Sequence, residues 1–144
     1  MNQFVKKVRN VVSSILVSLA VLLAVLLVGV RLVGLRPYTV LSGSMEPTYH
    51  TGSLIYVKKV KPEEVKVGQP ITFVLNEDLL VATHRVVEID KENQRFCTKG
   101  DANENADGAP VHFKNLIGVP VFTIPYLGYV ANYMQSIHMF LQHL

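Results

Sequence analysis

Ser44 stands in the segment Ser42-Gly43-Ser44-Met45-Glu46-Pro47-Thr48. A serine hydroxyl is a weak nucleophile until a base takes its proton. Acyl transfer also needs hydrogen-bond donors aimed at the oxygen on which charge develops. This segment carries parts for both tasks. Gly43 permits unusual backbone angles just before Ser44, and Pro47 stiffens the exit. The Ser42 hydroxyl and the Ser44 amide are candidate donors. On composition alone a plain serine-rich turn is the commoner fate of such a segment, so a base and an orienting group must come from elsewhere.

His84 is the base candidate. It lies inside Ala82-Thr83-His84-Arg85-Val86, a β-prone run, and a strand can hold an imidazole in one tautomer facing a cleft. A half-buried histidine bonded to backbone is the ordinary alternative. His50, His112, His138 and His143 lack comparable neighbours and read as surface or helix-face residues. Lys58 and Lys59 are adjacent and solvated, so they titrate too high to serve as a base. A third group has to orient the histidine. The loop Gly100-Asp101-Ala102-Asn103-Glu104-Asn105-Ala106-Asp107-Gly108 offers Asp101, Glu104 and Asp107. Its spacing lacks the pattern of a helix–loop–helix calcium site. No zinc spacing, phosphate-cradling glycine loop or repeat is present in the sequence, and neither a metal nor a cofactor is expected.

These residues need a scaffold, and the pattern around them is β. Tyr38–Leu41, Leu54–Lys58, Ile71–Leu75, Leu79–Ile89 and Arg95–Thr98 are short β-prone runs, and Asn76-Glu77-Asp78 marks a hairpin-like break. Arg95–Thr98 is expected to pair with the long run before it. Lys99–Pro110 reads as loop, and Val111–Val121 as partly extended. The expectation is a mainly β protein: a small antiparallel sheet, over residues 36–121, that carries the candidate residues. Leu127, Val130, Met134, Ile137, Leu141 and Leu144 recur at three- and four-residue spacing, which predicts an amphipathic helix over 125–144.

Val11–Val30 is apolar apart from three serines and carries no charge. About 20 such residues match the hydrocarbon thickness of a bilayer as a helix. A cleavable leader has a shorter apolar core, so an uncleaved anchor over 11–33 is expected, after a basic tail over 1–10. Lys6, Lys7 and Arg9 precede the run, whereas Arg31 and Arg36 follow it. That bias favours a cytoplasmic N-terminus, with the rest of a single-pass chain on the outer face of the cell membrane. The net charge of +3 is too small to argue for nucleic acid. Cys97 is the single cysteine and reads as a small core residue.

Three segments, in this order behind an anchor, resemble the type I signal peptidases. Ser42–Thr48 resembles their nucleophile box, Thr83–Val87 the box supplying the base, and Lys99–Asn103 their glycine–aspartate box. At the base position many bacterial members have lysine. Here it is His84, which resembles the Ser-His-Asp branch of the endoplasmic reticulum, archaea and some spore-forming bacteria. The resemblance implies Ser44 as nucleophile, His84 as general base and Ser42 as oxyanion donor. It implies Asp107 as third member in preference to Asp101, with Asp101 as a second, supporting acid. It sets Val40 and Met45 beside a pocket for small side chains. The implied reaction removes signal peptides from pre-proteins after a small-x-small motif. The implied partners are those pre-proteins and the lipid bilayer, with further membrane subunits left open. A non-catalytic membrane-anchored β module assisting export is the alternative.

Overall fold

The computed structural model describes residues 3–75, 80–130, 133, 134 and 137 of the chain. It divides into two compact units, Met1–Leu35 and Arg36–Leu144.

The first unit is one helix, α1 (Gln3–Leu32). Leucine, valine and alanine dominate it, and neither proline nor a capping break interrupts it. Thirty residues rise about 45 Å, more than the roughly 30 Å of a bilayer's hydrocarbon core. The helix takes in Lys6, Lys7 and Arg9, so the basic residues extend its first turns. It is long and apolar enough to cross a membrane. Most of its described valines and leucines are exposed, Leu16, Val17 and Leu22 among them.

The second unit is a seven-stranded, curled sheet, and a mainly β architecture is what the sequence pattern leads one to expect. Its strands are β1 (Leu35–Thr39), β2 (Leu54–Lys58), β3 (Pro70–Val74), β4 (Val81–Asp90), β5 (Arg95–Lys99), β6 (Val111–His112) and β7 (Leu116–Ile124). Their spatial order is β1-β2-β7-β3-β4-β5-β6. The pairs β2–β7, β7–β3, β3–β4, β4–β5 and β5–β6 are antiparallel. β1 starts and ends earlier than the run Tyr38–Leu41 suggests. It accommodates Pro37 because it lies at the sheet edge, where a missing N–H breaks no central ladder. Pro120 lies in the central strand β7, and it sits where the register against β2 shifts between Tyr56 and Val57. A bulge is a place where a central strand can tolerate proline.

The core gathers Val65, Ile71, Phe73, Val86, Phe96, Val111 and Val119. Phe96 and Ile71 are fully buried, and each such side chain stabilises the fold by about 1.5–3 kcal/mol. β3 lies between β7 and β4, so Thr72 is buried along with Ile71 and Phe73. The Thr72 hydroxyl is satisfied by Thr83 Oγ1 at 2.9 Å. β4 carries the candidate base, His84. Its first half, Val81–Arg85, pairs with β3, whereas β5 begins to pair only at Arg85. A bulge between Val86 and Glu88 interrupts the pairing with β5. The break expected at Asn76–Asp78 lies outside the described residues. So does most of the helix expected over 125–144, of which 127–130, 133, 134 and 137 are helical.

Candidate active site

Gly43–Met45 forms a single 3-10 turn after an extended Ser42. The turn closes through Glu46 N–H to Gly43 O at 3.0 Å, and Tyr49 N–H continues it to Met45 O at 2.9 Å. Met45 is 2% exposed and roots the turn in the protein, while Ser44 stands at the surface of a cleft. Ser44 Oγ lies 3.2 Å from Ser42 Oγ and 3.1 Å from His84 Nε2.

His84 reaches that position from β4, where it pairs with Ile71 of β3. The Phe73 ring meets the imidazole edge-on, centroids 6.2 Å apart. On its other nitrogen, His84 Nδ1 lies 2.6 Å from Asp107 Oδ2. Serine, histidine and aspartate from three separate segments therefore form one continuous row, with side chains of His84 and Asp107 14% and 22% exposed. Such a row can carry a proton away from a hydroxyl while the carboxylate fixes the imidazole.

Asp107 is itself held. Thr98 Oγ1 donates to Asp107 Oδ2 at 2.6 Å, and Asp107 N–H donates to Thr98 O at 2.8 Å. Thr98 has no exposed surface. It is a site residue that sequence reasoning missed. Its signal was available: β5 alternates inward at Phe96 and Thr98, and a buried hydroxyl requires a partner.

Asp101 occupies a different environment. Its two oxygens take Arg85 Nε at 2.7 Å and Arg85 Nη2 at 2.6 Å, and Thr48 Oγ1 donates to Oδ2 at 2.5 Å. Arg85 Nη1 also donates to Gly68 O at 2.7 Å. One guanidinium thus ties the segment after Ser44, the loop after β5 and the turn before β3. The two-pronged Arg85 bond holds the Asp101 carboxyl below the usual carboxylate range, against a partial burial that pushes it up. The sequence reading gave Arg85 and Thr48 no role, because only the fold brings them, with Gly68, to Asp101. Glu104, the remaining acid of the loop, is exposed.

The loop after β5 also touches the Ser44 turn directly. Ala102 N–H donates to Ser44 O at 2.9 Å. A Cβ on Gly100 would fall 2.6 Å from Ser44 O, a separation that real side chains do not reach. Gly100 therefore permits the loop to press on the Ser44 backbone.

Beside Ser44 opens a cleft of about 430 Å³. Pro37–Ser42 forms one wall and Leu80–His84 the other, with Met45, Tyr49 and Ile55 in its lining. Val40 and Met45 both contribute. Burial pushes the Tyr49 phenol up from its ordinary range. Among the other histidines, exposed His50 bonds Glu46, and His112 accepts from Lys114 N–H. No group of three or more potential metal ligands occurs among the described residues.

The fold and the row of side chains point to a serine peptidase class, and comparison with known proteins supplies the family. The model of the family "Signal peptidase, peptidase S26" matches residues 11–126, so the chain belongs to that family. It is 40% identical over 121 residues to Signal peptidase I W of Bacillus subtilis (strain 168), covering 77% of this chain and 63% of that protein. It is 31% identical over 107 residues to the human signal peptidase complex catalytic subunit SEC11C, covering 67% of this chain and 56% of that one. The chain thus spans less than two thirds of the length of these relatives.

Proposed function

We propose that this protein is a membrane-anchored serine endopeptidase that removes signal peptides from exported pre-proteins, with Ser44 as nucleophile, His84 as general base and Asp107 as orienting acid. The observation that carries the reading is the continuous row from Ser44 Oγ through His84 to Asp107 Oδ2, at 3.1 and 2.6 Å.

His84 gives its Nδ1 proton to the hydrogen bond with Asp107, which leaves Nε2 free to accept the Ser44 proton. Ser44 Oγ then attacks the scissile carbonyl, and the Ser42 hydroxyl and Ser44 amide stabilise the oxyanion. The imidazolium returns its proton to the leaving amine. Water activated by His84 hydrolyses the ester and frees Ser44. Asp101 positions: through Arg85 it holds the loops on either side of the row.

The cleft suits an extended chain. Among the described residues, Val81–His84 pairs with β3 on one side only, so its second backbone edge is available to a substrate strand. Val40 and Met45 line the cleft close to Ser44, which favours small residues at the cleaved position and two before it. The helix α1 keeps the catalytic unit at the membrane that holds the substrate's apolar segment. The excess of lysine and arginine before the apolar run favours a cytoplasmic N-terminus, with the catalytic unit on the outer face. SEC11C is named as the catalytic subunit of a signal peptidase complex.

Purified full-length protein in detergent is expected to cleave a reporter pre-protein after a small-x-small sequence. Ser44→Ala and His84→Ala each abolish that cleavage. Cleavage surviving in Ser44→Ala overturns the nucleophile assignment. An intact, folded chain that cleaves no pre-protein favours the non-catalytic export module.

A further inference from the structure

The start of the segment after β7 lies against the wall of the cleft. Residues 127–130 form a helical turn, and within it Gly128 is buried. A Cβ on Gly128 would fall 2.5 Å from Thr39 Cγ2, 2.7 Å from Gly52 O and 2.8 Å from Ser53 O. Two of these three are backbone atoms that cannot swing aside, so only glycine permits this approach. Next to it, the Tyr129 ring covers Gly52, and its Cε2, Cζ and Cδ2 take the space a side chain would need there. Gly52 has a φ of +80°, the left-handed region that favours glycine.

Gly52 and Ser53 are the residues that fix Val40. Gly52 N–H donates to Val40 O at 2.8 Å, and Val40 N–H donates to Ser53 O at 2.9 Å. Val40 lines the cleft, and two residues further on lies Ser42, 3.2 Å from the nucleophile. A continuous line of contact therefore runs from Tyr129 and Gly128, through Gly52 and Ser53, to Val40 and the cleft. Tyr129 is itself 56% exposed. Its ring is not part of the core, so its removal leaves the core packing intact.

We propose that Tyr129 and Gly128 are positioning residues: the turn after β7 braces the Val40 wall of the cleft, so that an extended substrate meets a wall already in place. The proposal rests on the peptidase reading above and adds to it a contribution from outside the three motif segments. Neither residue touches the reacting atoms. Their effect is on substrate alignment, where a displacement of about 1 Å is enough to cost activity.

The test uses the full chain in detergent with three variants, Tyr129→Ala, Tyr129→Phe and Gly128→Ala. Two readouts are taken: cleavage kinetics on a peptide with alanine at the cleaved position, and amide hydrogen exchange. Tyr129→Ala and Gly128→Ala are expected to raise KM about tenfold while kcat changes by less than about twofold. Tyr129→Phe keeps the ring and restores the wild-type KM. Exchange at the Val40 and Gly52 amides is expected to quicken about tenfold in the two alanine variants, with Phe96 and Thr98 of β5 unchanged. Unaltered KM and unaltered exchange at Val40 and Gly52 overturn the proposal, as does an exchange increase spread over β5 as well. A wild-type chain that cleaves nothing overturns the peptidase reading and the positioning role together. Local quickening at Val40 would then mark a brace with no catalytic purpose, which separates the two failures.

Discussion

Asp101 and Asp107 leave the same loop with the same charge, and their neighbours give them different work. Asp107 faces an imidazole and a buried threonine hydroxyl. Asp101 faces a guanidinium that grips both its oxygens. Because Arg85 lowers the pKa of Asp101, the ionised form favours the fold. That contribution is complete above the unfolded carboxylate value of about 3.9 and is lost as pH falls through the lower folded value. Asp101→Asn is therefore expected to melt below the wild type at pH 7, and thermal melts should show the gap narrowing below about pH 4. A gap that stays constant into acid would mean that the charge of Asp101 contributes nothing to the clamp. At this scale the sequence is most legible where residue type and chemistry coincide. Ser44 and His84 could be chosen by their chemistry, but the residues alone left Asp101, Glu104 and Asp107 open. Thr98 and Arg85 escaped notice because a threonine and an arginine in a strand are unremarkable until the fold gives each a carboxylate partner.

The elements place these groups by close backbone approach as much as by side-chain contact. The loop leaving β5 rests on the Ser44 carbonyl, with Gly100 at the point of contact. Gly100→Ala must push either the loop or the turn that carries Ser44 aside. The expected outcome is a fall in kcat of about a hundredfold with far-ultraviolet circular dichroism unchanged, since β5 and its core residue Phe96 precede the glycine. Wild-type kcat in that variant would show that the loop and the turn move independently. The strands β2, β3, β4 and β5 were legible from runs of branched and aromatic residues between turn signals. The edge strand β1 was not placed correctly. Val40 and Leu41 look like strand, yet Val40 spends its backbone bonds on the turn at Gly52 and Ser53. A local pattern cannot reveal that competition, because the partner is more than ten residues away.

At the scale of the whole molecule, an apolar helix and a small β unit share one chain. Under the proposed function the helix contributes concentration and leaves the chemistry alone: a tethered catalytic unit meets a membrane-held substrate at an effective concentration set by the tether. Removing residues 1–33 is expected to slow cleavage of a membrane-embedded pre-protein at least about tenfold while leaving cleavage of a short soluble peptide near the wild-type rate. Equal losses on both substrates would mean that the helix supports the catalytic unit itself. The apolar helix was legible in the sequence, since an uncharged run of that length is long enough to cross a membrane as a helix. The half-paired strand β4 has a last consequence. Among the described residues its second edge at Val81–His84 is unpaired, a template for any extended segment, and another copy of the same chain qualifies as well as a substrate does. Most β proteins blunt such an edge with charge, proline or a covering loop. A protein that must keep it bare carries a standing hazard of edge-to-edge aggregation. Under the proposed function, each copy is held in a bilayer, where orientation limits which edges can meet, and that is one way to live with the hazard.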